Sequence, residues 1–593
     1  MNSSRNKIQY IPPIDGLRAL AVIAVLLYHL GVSWIPGGFL GVDLFFVISG
    51  YVITRLILDS IDRSSALDLR AFYLARVRRL LPSLLVVISS SILISSIWAP
   101  ESMRRLLSDI PYVISGTNNW RLVGLHQDYF SAIGRPPLLQ HTWSLGVEAQ
   151  FYLLWPIVLV LILKYFGKKN IAKVALAFAG VSGIALFVFS LRIDASNGLN
   201  SQGSSHIYFG TDTHSLGLFL GAALAVSWVP QNLSSKIAQR AQDFVDGIGV
   251  IGLLGLLSAF LFINESNPTL YKLAFPLAGI FGCAIITSLV HPSSRFAPIM
   301  SSKVLLWIGA RSYGIYLWHW VIFQITRPSV DLAGSVFALN CARLLLVFAL
   351  ADISLRWIEL PIRRGLLQNW FRGMKYRLPT VRRKQKRNAT IAAAVFLAIL
   401  STSASVGLSR GDDISLKLAI ELAAQSAPES TESVAPVSKR GLWVTGDSVI
   451  LGIRSKLESR AHIALINARV GRQIQELTTV VKADKPQVPH SIVILDLGNN
   501  NHLTEQSVVD LLELLKDQPQ IILVNTAVPR SYRDDNNKII NRVAKKYPQL
   551  TVVDWNSLSI GHPEFFAADG VHLSDMGSDV YVAAILEVLN KIA

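Results

Sequence analysis

A chain of 593 residues that is 51% hydrophobic and only 16% charged is too apolar for one soluble domain and too long for one membrane hairpin, so it reads as an integral membrane protein with a further domain. Its formal net charge of +17 does not point to nucleic acid, because the cations gather in short loops between apolar runs, where membrane topology accounts for them. The two cysteines, Cys283 and Cys341, both lie inside apolar runs and imply neither a disulfide framework nor a metal site.

With about 20 apolar residues per crossing, eleven candidate spans follow along the chain, near 15–33, 38–58, 80–98, 143–163, 171–191, 210–229, 247–264, 270–290, 304–325, 337–358 and 389–408. The first has Arg5 and Lys7 ahead of it but no small-residue cleavage signature behind it, so a retained helix is expected. An odd number of spans puts the chain ends on opposite faces. With a cytoplasmic N-terminus the inner loops hold Arg76, Arg78 and Arg79, then Lys164, Lys168 and Lys169, then Lys236 and Arg240, and finally the run RRKQKR. That satisfies the positive-inside bias. The expected organisation is a polytopic all-α membrane domain of ten spans over 1–365, a basic cytoplasmic segment at 366–388, the eleventh span at 389–408, a flexible linker at 409–440 and an extracytoplasmic domain at 441–593. The expected location is a cytoplasmic membrane, crossed many times.

Several spans carry residues that hydrocarbon does not tolerate cheaply, at roughly 2.5–3.5 kcal/mol each on insertion scales. In RALAVIAVLLYH, Arg18 and His29 are eleven residues apart, which places them within about 20° of one helix face and roughly 16 Å apart along the axis. Arg18 either snorkels to the inner interface or faces a cavity; Asp15 stands three residues before it as a partner or cap. Asp43 lies in GVDLFFVISGY and needs a partner. HTWSLGVEAQFYLLWP sets His141, Ser144 and Glu148 at the mouth of the fourth span, and ARSYGIYLWHW adds Arg311 and His319. Arg76 and Arg79 form an R-x-x-R, which is either topology alone or a site for a phosphate-bearing cofactor.

In the last 150 or so residues, the short apolar runs GLWVT, IVILDLG, IILVN and TVVDW alternate with stretches of helical spacing, the pattern of a parallel sheet covered on both faces. The first strand leads into TGDSVILG, so Ser448 is expected at the strand-to-helix turn on the C-terminal edge of the sheet, where open α/β sheets place their sites. AADGVHLSDMG offers Asp569 to orient the imidazole of His572, which would take the Ser448 proton. Oxyanion donors are expected from Asn500 in LGNNN and from the backbone N–H of Gly471 in RVG. A plain turn and a helix cap would use the same letters; four such signals in order at successive strand ends favour a site.

These residues resemble the SGNH hydrolase superfamily: Ser448 in the GDS block, Gly471, Gly498 with Asn500, and Asp569 with His572. That resemblance implies an α/β/α three-layer, flavodoxin-like domain with ester chemistry. Asn501 stands where the superfamily commonly has Asp, and GNNN is similar to the cell-wall acetyltransferase branch. Residues 10–365 in turn resemble the acyltransferase-3 family, through Arg18-x10-His29, GVDLFFVISGY, the R-x-x-R, TWSLGVEAQFY and SYGIYLWH. Where that family commonly reads VEEQFY, Ala149 replaces the second Glu. Members fused to an SGNH domain resemble envelope O-acetyltransferases. The resemblance implies acetyl-CoA as donor, bound near Arg18, Arg76 and Arg79, with His29 as base or acyl acceptor, no metal, and an envelope polysaccharide as acceptor: peptidoglycan, or else a lipid-linked or surface glycan. Two rival expectations are a membrane-anchored O-acetyl esterase and a non-enzymatic polysaccharide-export component.

Overall fold

The structure is a computed structural model that describes residues 10–64, 66–125, 135–195, 201–264, 270–328, 331–332, 334–426, 441–469, 472–530, 532–567 and 570–592. Up to residue 426 it is helical: α1 (Pro12–His29), α2 (Gly41–Ser64), α3 (Leu69–Trp98), α4 (Trp143–Tyr165), α5 (Ile171–Ala195), α6 (Leu216–Ser227), α7 (Gln239–Phe262), α8 (Phe275–Leu289), α9 (Lys303–Ile325), α10 (Val336–Ile353), α11 (Leu366–Met374) and α12 (Pro379–Ser426), with the helix Met103–Ser115 and further short helical pieces between. Among the described residues nine helices are long and apolar enough to cross a membrane. Of the eleven expected spans, two differ. The 12 residues of α6 reach about 18 Å at 1.5 Å per residue, short of a hydrocarbon core. Lys303–Ile325 is long enough but carries Lys303, Arg311 and His319.

The chain before α6 is helical in two pieces, Ser201–Phe209 and Thr211–His214, so the sixth expected span is a broken helix. Such breaks are tolerated where protein supplies the lost hydrogen bonds. Here the break is packed against α2: His214 Nε2 lies 3.1 Å from Asp43 Oδ1 and His214 Nδ1 donates to the Tyr208 carbonyl at 2.7 Å. Glycines bring the helices together. A Cβ on Gly50 would lie 1.9 Å from the Leu218 carbonyl oxygen, and one on Gly309 would lie 1.8 Å from that of Asp15. Close backbone approach of this kind is how helices associate where lipid removes the hydrophobic drive between them.

The expected linker begins too early. Residues 409–426 continue α12, because SLKLAIELAAQ is made largely of strong helix formers; residues 427–440 lie outside the described residues.

The C-terminal domain is a five-stranded parallel sheet of order β2-β1-β3-β4-β5. Its elements are β1 (Leu442–Gly446), α13 (Ser448–Glu458), β2 (Ile463–Ala468), α14 (Ile474–Asp484), β3 (Ile492–Asp496), α15 (Glu505–Leu514), β4 (Gln520–Val524), α16 (Arg533–Ala544), β5 (Leu550–Val553) and α17 (Asp575–Ile592). Successive strand side chains point to opposite faces. Leu442, Val444, Ile492, Ile494 and Ile522 pack under α13 and α17, while Trp443, Val493, Leu495, Ile521 and Leu523 pack under α14, α15 and α16. Three layers result, as the apolar runs predict, and the C-terminal strand ends form one edge.

Candidate active sites

Two sites stand out. The first is a cavity of about 620 Å³ inside the helical domain, walled by α1, α2, α3, α4 and α9. Arg18, Arg76, Arg79 and Arg363 line it. Arg55 also lines the cavity but is paired with Asp59. The other four guanidinium groups, gathered in a low-dielectric wall, repel one another and favour a polyanionic occupant; the Arg76 Nε is buried with no hydrogen-bond partner among the described residues. Asp15 accepts from Arg18 Nη1 at 3.5 Å, a long contact that leaves most of that guanidinium to the cavity.

Deeper in, Glu148 accepts from Ser49 Oγ at 2.5 Å and from the Tyr152 hydroxyl at 3.1 Å. Ser144 and Tyr316 also face the cavity, their hydroxyls 2.7 Å apart. The Tyr316 hydroxyl also lies 2.8 Å from the His141 carbonyl. Ala149 sets its Cβ against Gly116, whose φ of +72° turns the chain there; a Cβ on that glycine would meet it at 2.9 Å.

His29 does not line this cavity. It sits beyond the Tyr316 layer, its Nδ1 3.2 Å from His319 Nε2 and its ring edge-on to Trp320. His319 Nδ1 lies 2.6 Å from the Tyr316 carbonyl and therefore carries the proton of a neutral ring. Its Nε2 is then the acceptor toward His29, whose ring also hydrogen-bonds the Val25 carbonyl. His141 packs in the same cluster, edge-on to His319 and stacked on Trp320. Since Asp15 meets Gly309 and His29 meets His319, α1 and α9 run parallel: arginines gather at one end, histidines at the other.

Two residues singled out from the sequence stand elsewhere. Asp43 is partnered by His214 within an aromatic wall of Phe46, Trp143, Tyr208 and Phe275. Arg311 donates from Nε to Asp352 at 2.6 Å and stacks on Trp307, tying α9 to α10 outside the cavity. Ser49, Tyr152, Tyr316 and Arg363 are cavity residues that sequence reasoning missed. Serine and tyrosine in an apolar span carry no signal until the facing helix is known.

The second site is the C-terminal edge of the sheet. Asp447 caps α13, its Oδ1 accepting from the Val449 N–H at 2.9 Å, and places Ser448 at the first turn of the helix. Helix N–H groups there face the Ser448 side, a position suited to an anion. Gly446 lets β1 and β3 approach: a Cβ on it would lie 3.0 Å from the Asp496 carbonyl oxygen. Ser448 Oγ is buried and has no hydrogen bond among the described residues, so its expected bond to His572 is not made here. His572 lies near enough for its charge to act on Asp447. Asp569 and Gly471 lie outside the described residues.

Asn500 reaches the site with both amide hydrogens engaged, by Asp447 Oδ2 at 2.7 Å and by the Arg472 carbonyl at 3.2 Å. An oxyanion would draw one of them away. The loop that carries it is clamped from α16. Asn536 Nδ2 donates to the carbonyls of Gly498 and Asn501, both at 2.9 Å, and its Oδ1 accepts from the Leu503 N–H at 2.7 Å. Arg472 binds the carbonyls of Gly446 and Asn467 at 3.2 and 2.6 Å, bracing the Ser448 turn from below. Burial pushes the Asp447 carboxyl up to about 6 and the neighbouring Asp496 up as well.

An apolar helical domain with an arginine-lined cavity, joined to a three-layer α/β domain, is consistent with a membrane acyltransferase. The acyltransferase-3 family model, an acyltransferase domain, matches residues 11–356, and the chain belongs to that family. Over its whole length the chain is similar to the peptidoglycan O-acetyltransferase OatA of Listeria monocytogenes, 34% identical over 99% of this chain and 100% of that protein. It is likewise similar to the O-acetyltransferase OatA of Staphylococcus aureus strain NCTC 8325, 33% identical over 98% and 96%. The solved C-terminal catalytic domain of Streptococcus pneumoniae OatA aligns with 26% of this chain and 93% of its own length, at 23% identity and a TM-score of 0.23.

Proposed function

We propose that the protein transfers an acetyl group from cytoplasmic acetyl-CoA to hydroxyl groups of peptidoglycan on the far side of the membrane. The observation that carries this reading is the arginine cavity. Arg18, Arg76, Arg79 and Arg363 converge on one volume with no carboxylate matching each of them, which suits the phosphates of the donor. The donor supplies the acetyl group as a thioester; this chain's part is to hold its phosphates at the arginine end and to present the acyl end toward Ser144, Glu148 and Tyr316. His29 acts as base or acyl acceptor beyond that layer. An odd number of crossings with a cytoplasmic N-terminus would put the C-terminal domain outside.

CoA leaves as the free thiol when the membrane domain takes up the acetyl group, which crosses directly or on a small carrier. Ser448 Oγ then attacks the acetyl carbonyl and displaces the group that carried it, while His572, oriented by Asp569, takes the hydroxyl proton and passes it to that leaving group. The Ser448 N–H, the Gly471 N–H and Asn500 hold the tetrahedral oxyanion. A sugar hydroxyl, deprotonated by His572, then attacks the ester and releases Ser448. The relatives' names favour peptidoglycan over another surface glycan. The test is mass spectrometry of muropeptides from cells carrying Ser448→Ala. Loss of O-acetyl groups supports the relay. An unchanged O-acetyl level sinks it, and acetyl-ester hydrolysis by the full chain with no acetylated glycan favours the esterase instead.

A further inference from the structure

The segment between the cavity and the last span has a character of its own. From Arg363 to Arg387 it holds ten lysines and arginines and no carboxylate. Within it, α11 begins three residues after Arg363, one of the cavity arginines. This helix is one-sided. Leu366, Leu367 and Phe371 stand 51–64% exposed, and Tyr376 and Leu378 follow at 90% and 70%, whereas Met374 is buried. Nine residues cannot cross a bilayer; an exposed apolar face of this kind with flanking cations is suited to lying in the headgroup region.

Positive charge beside a span is ordinarily topology and needs no built site. Here there is one. Between α11 and the start of α12 runs a groove of about 570 Å³. Trp370, Phe371 and Met374 form its floor, and Lys375, Arg382 and Lys386 its rim. It continues along Ala389 and Ala393, where α12 turns apolar and enters its span. No carboxylate among the described residues pairs with Lys375, Arg382 or Lys386. The turn joining the helices is held by Arg377, which donates to Gln385 and lies 3.4 Å from Met374 Sδ. A cationic rim over an apolar floor, at the depth where a span leaves hydrocarbon, matches a phosphodiester headgroup with its acyl chain.

We propose that this groove binds an anionic phospholipid. The headgroup phosphate sits among Lys375, Arg382 and Lys386, and an acyl chain runs over Phe371 toward Ala389 and Ala393. Such a lipid would pin α11 to the bilayer surface and so fix Arg363 at the mouth of the cavity. The inference does not depend on which glycan is acetylated, and its readout is lipid retention, not transfer.

The test is native mass spectrometry of the full-length chain in detergent, titrated with phosphatidylglycerol or phosphatidylcholine. Phosphatidylglycerol is expected to be retained and phosphatidylcholine not. Near a membrane surface each basic residue contributes a factor of about five. The triple variant Lys375→Gln, Arg382→Gln, Lys386→Gln, which keeps good helix formers, should therefore lose on the order of a hundredfold in retention. Phe371→Ala, which leaves the charges intact, should weaken it about tenfold, so the result does not hang on the folding of one variant. Millimolar inorganic phosphate should leave the bound lipid in place. Equal retention of the two lipids, retention by the triple variant within about threefold of wild type, or displacement by inorganic phosphate would each overturn the proposal.

Discussion

Gly309→Ala probes whether helix contact positions the histidine pair. The added Cβ would stand 1.8 Å from the Asp15 carbonyl oxygen, where real contacts are never closer than 3.0 Å, so α1 and α9 must part by at least about 1.2 Å. Both partners are backbone or attached directly to it, so no rotamer can relieve the clash. The hydrogen bond between His29 and His319 joins the same two helices and is 3.2 Å long; a rigid shift of that size opens it beyond any useful distance. Overpacking of this kind costs about 1–3 kcal/mol. The assay is the thermal melting of the full chain in detergent, together with the O-acetyl content of cell walls from cells carrying the variant. Both should fall. Gly180→Ala is the matched control: it lies on an exposed face of α5 with nothing within 4 Å of its Cβ, and the helix gains up to about 1 kcal/mol. A Gly309→Ala protein that melts and transfers like wild type, or a Gly180→Ala protein that is equally damaged, would refute the reasoning.

Asn536→Ala removes three hydrogen bonds from buried backbone groups of the loop bearing Asn500. At about 1 kcal/mol or more for each, amide exchange in residues 497–504 should accelerate a hundredfold or more. Tyr532→Phe, which loses one bond to the Asn499 carbonyl, should accelerate it by less than tenfold. Gly577→Ala places a Cβ 1.9 Å from the Phe565 carbonyl oxygen and should displace the loop leading to His572; labelling of Ser448 by a serine-directed sulfonyl fluoride reads this as a lost signal. With its carboxyl raised from 3.8 to about 6, folded Asp447 holds a proton more tightly than the unfolded chain does. Its contribution to stability is therefore complete below about pH 4 and lost as pH rises through about 6, by at most roughly 3 kcal/mol. Exchange protection of residues 446–450, corrected for intrinsic rates, should fall over that window in wild type and much less in Asp447→Asn.

What was legible in consecutive residues was what consecutive residues control. Apolar run length marked the long helices of the membrane domain, though not α11 or Met103–Ser115, and strand-then-turn chemistry located Ser448 at the end of β1, where it stands. The same local patterns identified Arg18, Arg76 and Arg79, which share one cavity, as a group. Strand β2 escaped notice because it is an edge strand of intermediate burial, so its pattern lacks the continuous apolar run of β1 and β3.

Tertiary contact settled the rest. Asp43 needed a partner, but that the partner is His214, 171 residues away, depends on a helix breaking beside α2. Arg311 has the composition of a site residue and is instead clamped to Asp352. Ser49, Tyr152 and Tyr316 are unremarkable in their own spans and become polar cavity wall only when α2, α4 and α9 meet. Arg472 and Asn536 look like ordinary surface residues and prove to be the braces of the serine turn and the asparagine loop. The physical reason is common to all of these. Periodicity and turn preference arise from neighbours along the chain, whereas the faces that meet are chosen by close packing at positions such as Gly50 and Gly309, where one methyl group decides whether two helices touch.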